Sequence, residues 1–470
     1  MKTGILCAAA FAACLAFGAE PDAEGFVSLF NGKDLTGWIG SKSYGVEKGN
    51  LVCLPEKRVK GDCGNLCTEK QYENFILRFE FCMPENGNNG LGLRMTDINK
   101  DAAYWGMCEL QLLDDGGSAY YDSQAKKDKL KPYQYTASVY GVCPVKRDNF
   151  KGKQIWGKEK NFTSGCLSGS YVRKPGMWNF EEVRVIGSRI QVILNGELVT
   201  DFDVNTYKGI GDTPDHRKHP GLHNKKGHIG WLGHGHKVMW RNIRIKEVGA
   251  DYKVGSDTKK ACPEGFTPLF CGTEACFAKN WKGVTTAEKF DNPKVRQAAT
   301  PEKRAAMQKI ADKQMADHWH VRDGALFFDG FNGGYSLATK KDYKDFEMYV
   351  DWRLLSVTGD SGLYLRGSPQ VQIWDAHNQW RIGSGGLYNN KKNPSKALCI
   401  ADNLIGSWNT FYIKMVGEKV TVKLNGKTVV DNVTLENYWD RKLPIFPIEQ
   451  IELQCHGDPL EFKNIFIKEL

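Results

Sequence analysis

Apolar and polar residues alternate in short runs along most of this chain, and the runs end at Gly, Asn or Asp. In VRVIGSRIQVILNG, Val183 to Gly196, apolar residues recur at every second position on both sides of Gly187-Ser188, and the run closes on Asn195-Gly196. Period two marks a strand with one buried face, and Asn-Gly is a strong hairpin signal. IKMVGEKVTVKLNG, Ile413 to Gly426, writes the same hairpin again. Many such strands with few helical stretches predict an all-β chain of β-sandwiches, its sheets packed through their apolar faces. One segment departs from this pattern. TPEKRAAMQKIADKQMADHW, Thr300 to Trp319, has Thr at an N-cap position, Pro at the first helical position, and Met307, Ile310, Ala311 and Met315 on one stripe. It predicts a single helix, inserted between strands and packed across a sheet or a domain interface.

Laid against itself, the sequence repeats in order. GFVSLFNGKDLTGW (Gly25 to Trp38) answers to GFTPLFCGTEACFAKNW (Gly265 to Trp281), and YENFILRFEF (Tyr72 to Phe81) to YKDFEMYVDW (Tyr343 to Trp352). CELQLLD (Cys108 to Asp114) answers to QVQIWD (Gln370 to Asp375), and GHGHKVMWRNIRIKEV (Gly233 to Val248) to CHGDPLEFKNIFIKEL (Cys455 to Leu470). Each unit is about two hundred residues, too long for a solenoid repeat. The 470 residues therefore divide into a first domain at 24–249, a polar linker at 250–263 and a second domain at 264–470. That agrees with the rarity of single cores beyond roughly 250–300 residues.

Ahead of the first domain, residues 1–19 carry Lys2, an apolar stretch from Ile5 to Phe17, and small residues, a secretory signal pattern with cleavage after Gly18 or Ala19. Lipid attachment at Cys14 ranks second, because Phe11 is a poor match three positions before it. No segment is apolar for long enough to cross a membrane. The expectation is export, into a bacterial periplasm. Twelve cysteines follow the leader, seven in the first half and five in the second. An even total in an exported chain invites disulfides, with some thiols free or one bridge crossing between the halves. The net charge of +9 is spread in short clusters such as Lys126 to Lys131, a solvated surface rather than a nucleic-acid stripe.

Three polar features recur in both halves: Arg94 or Arg366 ending a Gly-rich strand, the strand with Glu109, Gln111 and Asp114 or Gln370, Gln372 and Asp375, and His234 or His456 near the end. Carboxylates and carboxamides hold sugar hydroxyls, Arg offers a planar donor fork, and His transfers protons. Six of the ten histidines fall between Asp215 and His236, a cluster compatible with a divalent metal, although the second half lacks most of them. No cofactor is otherwise called for.

These segments resemble the family of 3-keto-disaccharide hydrolases. The first copy carries LFNGKDLTGW, NGLGLR, ELQLLD, PGMWN, LNG and GHGHKVMWRNIRI; the second carries LFCG, DSGLYLR, QVQIWD, GSWN, LNG and CHGDPLEFKNI. The resemblance implies two tandem concanavalin A-like jelly-roll sandwiches and action on glycosides already oxidised at carbon 3, supplied by a sugar 3-dehydrogenase. On it rest a base at Glu109 or Asp114, an oxyanion partner at Arg94 and a proton carrier at His234. Substrate contacts are expected from Gln111, Tyr140, Trp231, Arg366, Gln370, Gln372, Asp375, Tyr388, Gln454 and His456. The copies differ: Leu232 stands where the second has Gln454, and Gln370 stands where the first has Glu109. Two rivals remain. A retaining glucanase on the same fold needs two carboxylates, and a tandem carbohydrate-binding protein would use Trp231, Tyr140, Trp374 and Tyr388 as stacking platforms.

Overall fold

The structure, a computed structural model, describes residues 20–99, 106–146, 170–331, 335–378 and 381–470. The predicted leader and Cys166 lie outside those residues. Each half is a jelly-roll sandwich of an eight-stranded and a five-stranded antiparallel sheet, and the strand order is the same in both. In the first half the small sheet runs Trp38–Gly40, Asn65–Thr68, His228–Leu232, Asn88–Met95, Cys108–Leu113. Its counterpart runs Trp281–Gly283, Leu337–Thr339, Glu452–Leu453, Asp360–Leu365, Ser368–Trp374. Register aligns the copies along the first part of one strand pair, up to an irregularity at Leu363–Leu365 that only the second copy has. Gly90 pairs with Gln111 as Gly362 pairs with Gln372, and Asn88 pairs with Leu113 as Asp360 pairs with Trp374.

Alternation places the cores. Phe75, Leu77, Phe79 and Phe81 of the strand Phe75–Cys82 enter the first core with Val183 and Val185. The opposite face carries Arg78 and Glu80, a pattern that predicts solvent, yet these are 4% and 1% exposed. The second half covers them. Glu182 accepts from Arg78 and Arg184 at 2.7 Å each and lies 3.5 Å from Arg353, which itself pairs with Glu461. Burial works against the Glu182 carboxylate, but the three guanidinium groups outweigh it and hold its pKa well below the usual carboxylate range. Phe180, from the first half, is packed into the second core. It sits over Gly406, where any Cβ would fall 2.2 Å from its ring.

The helix forms at Pro301–His318, with the Thr300 side chain accepting from the Lys303 amide. It packs on the small-sheet edge strand Trp281–Gly283 through Met307 and Ala311, whereas Ile310, expected on the same stripe, is 41% exposed and falls outside the buried face. Two shorter helices, Glu274–Asn280 and Pro293–Ala298, were not predicted. Each is under two turns, too short for periodicity to show; their signals were the caps Thr273 and Asn292-Pro293. Among the described residues no helix is long and apolar enough to cross a membrane. The disulfide expectation fails for the described residues, whose eleven cysteines are all free thiols. Several sit inside the cores as small apolar side chains, and burial pushes the thiols of Cys67 and Cys108 up to about 12.

Candidate active site

The strand Cys108–Leu113 is buried on both faces. Leu110 and Leu112 enter the core, and Glu109 and Gln111, on the other face, are only 5% and 4% exposed. The polar face is therefore a sunken floor. The segment after this strand adds a further edge: Val139 bridges Leu110, and the Tyr140 amide donates to the Glu109 carbonyl at 2.9 Å. On the inner neighbour, Gly90 makes room for the acid, since a Cβ there would fall 2.3 Å from Glu109 Oε1. The loop after His228–Leu232 brings His234 over the same face, its Nε2 4.0 Å from Glu109 Oε1 and its side chain 38% exposed. That distance is an ion-pair approach rather than a hydrogen bond, and acid–base partners commonly tighten only around substrate. Asn88 completes the group, with a buried Oδ1 that has no hydrogen-bond partner.

Other expected site residues are employed elsewhere. Arg94 has a left-handed backbone (φ 52°), and its guanidinium donates to Glu73 O, Gly187 O, Asn224 O and Asn74 Oδ1. All five of its N–H groups are spent on tying strand ends together, so it is not the oxyanion partner. Arg366 does the same in the second copy, donating to the carbonyls of Pro447 and Gly417. Asp114 accepts from the Asn86 amide at 2.9 Å, and Asp375 accepts from the equivalent Thr358 amide at 2.9 Å and from Asn378. Each pins a loop whose Asn86 or Thr358 has positive φ, so the acid kept in both copies braces its loop. Burial also raises the Asp114 pKa. Trp231 is fully buried, stacked on Trp240 at 4.7 Å, and belongs to the core. Trp374 is 6% exposed and donates to the Ile382 carbonyl; Tyr388, packed edge-on against it at 5.4 Å, is half exposed.

In the second copy Gln370, Gln372, Gln454 and His456 do converge. Gln370 donates to Gln372, Gln372 donates to Asp360 Oδ1 at 2.7 Å, and His456 Nδ1 lies 3.8 Å from Asp360 Oδ2. The histidine cluster does not converge. His219 pairs with Asp215, His223 meets the Tyr207 carbonyl and His228 meets the Thr68 carbonyl. Among the described residues no three His, Cys, Asp or Glu side chains are gathered as metal ligands.

The sequence pattern of the 3-keto-alpha-glucoside-1,2-lyase-like domain family matches residues 25–246 and again 265–468. The chain belongs to this family, twice over. A 3-keto-disaccharide hydrolase of Bacteroides thetaiotaomicron is 26% identical over 243 residues, 48% of this chain and 79% of that protein. A crystal structure of a candidate glycosyl hydrolase from Parabacteroides distasonis is also 26% identical, with a TM-score of 0.37 over 48% of this chain and 95% of its own. A family GH16 endo-β-1,3(4)-glucanase is 12% identical, with a TM-score of 0.27 over 45% of this chain and 94% of its own. Membership makes this two-domain chain a carbohydrate-active enzyme. It leaves the bond and the substrate to the geometry.

Proposed function

We propose that the first copy cleaves glycosides carrying a ketone at carbon 3, by proton abstraction at carbon 2. The observation that carries this reading is the Glu109–His234 pair, 4.0 Å apart on a sunken polar floor. The second nearby acid, Asp114, is tied into its loop. A retaining glucanase needs two working carboxylates roughly 5–5.5 Å apart, and ELQLLD supplies one. One carboxylate and one imidazole suit a different reaction. The ketone acidifies the C2 hydrogen; Glu109 takes that proton, and the electron pair is held as the enolate of the C3 ketone. The C1–O bond then breaks, with the pair returning to form C1=C2. The departing oxygen takes a proton from the His234 imidazolium. Addition of water, hydroxyl to C1 and hydrogen to C2, completes a net hydrolysis. With Arg94 committed, the carboxamides of Asn88 and Gln111 are the donors on this face suited to the developing enolate oxygen. The name of the Bacteroides thetaiotaomicron relative supports the same substrate class. In this reading a sugar 3-dehydrogenase activity supplies the ketone, and the reaction takes place outside the cytoplasm, as the leader pattern of residues 1–19 leads one to expect.

The test is release of aglycone from a p-nitrophenyl 3-keto-glucoside, with an unmodified β-glucan and a protein-free blank alongside. Turnover of the keto-glycoside alone, lowered by Glu109→Gln, is the expected result. Unchanged turnover by Glu109→Gln refutes the base assignment, and hydrolysis of the β-glucan refutes the reaction.

A further inference from the structure

Position by position, the two polar floors exchange an acid and an amide. The first copy has Asn88 and Glu109; the second has Asp360, in register with Asn88, and Gln370, two residues before the Gln372 that matches Gln111. Each copy so keeps one carboxylate and one carboxamide, on adjacent strands, and the carboxylate has crossed from one strand to the other. In both, it stays beside the aligned histidine. His234 approaches Glu109 to 4.0 Å through Nε2, and His456 approaches Asp360 to 3.8 Å through Nδ1. The two imidazoles are equally open, at 38% and 41% exposure.

We propose that the second copy is a second reaction centre, with Asp360 as its proton acceptor and His456 as its proton carrier, acting on the same class of 3-keto-sugar. This rests on the reading of the first copy given above. Its floor is built rather than left over. Gln454 is 8% exposed and turns an unpartnered Oε1 onto the floor: a Cβ at Gly362 would fall 3.1 Å from it and 3.2 Å from the Gln370 amide carbon. Gln372 orients Asp360 by donating to its Oδ1, and the Asp360 amide is anchored on Asp458 Oδ2 at 3.1 Å. The preceding loop is clamped from the other half of the chain, where Arg173 donates to Val357 O at 2.8 Å and Thr358 Oγ1 at 3.1 Å. With Gln454 in place of Leu232, this floor offers one more amide to sugar hydroxyls than the first. Proton transfer balances as before: the C2 hydrogen passes to Asp360, and the leaving oxygen is protonated from His456.

The experiment uses the full chain and two readouts, p-nitrophenol release from a p-nitrophenyl 3-keto-glucoside and deuterium incorporation at C2 of a methyl 3-keto-glucoside in D2O. Glu109→Gln alone is expected to retain activity above the blank in both. Adding Asp360→Asn, or separately His456→Ala at the exposed imidazole, is expected to lower that remainder at least ten-fold. The proposal is overturned if Glu109→Gln alone reaches the blank, or if neither added substitution changes the remaining rate. If instead Asp360→Asn alone abolishes all turnover and Glu109→Gln does nothing, the second centre stands and the base assignment in the first copy falls. A wild-type chain inert toward both keto-glucosides overturns both readings together.

Discussion

Replacing Glu181 by Gln isolates a carboxyl group that the fold has enclosed without a partner. Glu181 sits opposite Phe79 on one neighbouring strand and Leu194 on the other, on the inward face it shares with Val183 and Val185. Neither carboxylate oxygen has a hydrogen-bond partner, and burial pushes its pKa up to about 8. The unfolded chain ionises this group near the ordinary glutamate value of 4.5. Between these values the native state holds a proton that the unfolded state has lost, so stability falls as pH rises, by about 1.4 kcal/mol per pH unit. From pH 5 to pH 8 the group removes roughly 3–4 kcal/mol of stability; below pH 4 and above pH 9 its contribution is flat. Glu181→Gln cannot ionise. The difference in urea-unfolding free energy between wild type and variant, followed by tryptophan fluorescence at several pH values, should therefore slope across pH 5–8 in favour of the variant. Other titrating groups cancel in that difference. A difference curve that is flat within about 0.5 kcal/mol refutes the reasoning.

In an Asp360→Asn background, Gly90→Ala puts a methyl group against Glu109 Oε1 and should cut the remaining keto-glycoside turnover at least ten-fold with little change in melting temperature, because the tip of one side chain can swing aside. Arg94→Met should behave oppositely, costing roughly 3 kcal/mol through stranded carbonyls while kcat/KM per folded molecule stays unchanged. Gly406→Ala collides with Phe180 at a position with φ of 82° and should destabilise the chain by about 2–4 kcal/mol in thermal unfolding, whereas the same change at exposed Gly417 should cost less. Unfolding without reductant should leave the eleven described cysteines open to alkylation, counted by mass spectrometry.

Much of the architecture was legible because apolar alternation and duplication are long-range signals that a strand cannot avoid writing. The polar marks were harder to sort. An Asn recurs in the last strand of both copies. Asn242 and Asn464 are in fact left-handed bulge residues whose amides reach Glu80 and Asp351. The Asn of the Trp-Asn turn and that of Leu-Asn-Gly bond to each other, Asn179 with Asn195 and Asn409 with Asn425. Structural and reactive polar groups share residue types, and only distances separate them. Asp114 and Arg94 look reactive in the sequence for that reason, although their bonds hold loop and strand ends. Asn88 and Asp360 were overlooked, although the acid opening DSGLYLR, against the amide in the first copy, was visible in the sequence. The cover over Arg78 and Glu80 was illegible for another reason: a buried charged face and a wet one alternate alike.

The seat of Phe180 over Gly406 has a bearing on inheritance as well as on packing. Two copies of one domain usually remain separable, each able to travel alone through recombination or to outlive a cut in the linker. Here one half has lent an aromatic ring and the Arg173 clamp to the other, and has received a cover for its charged sheet in exchange. A nick near residue 255 would release no working piece, because a solitary second half would hold an empty dimple at Gly406 and would leave Arg353 without Glu182. With a ring, an arginine clamp and an ion pair crossing the seam, each copy depends on the other's surface.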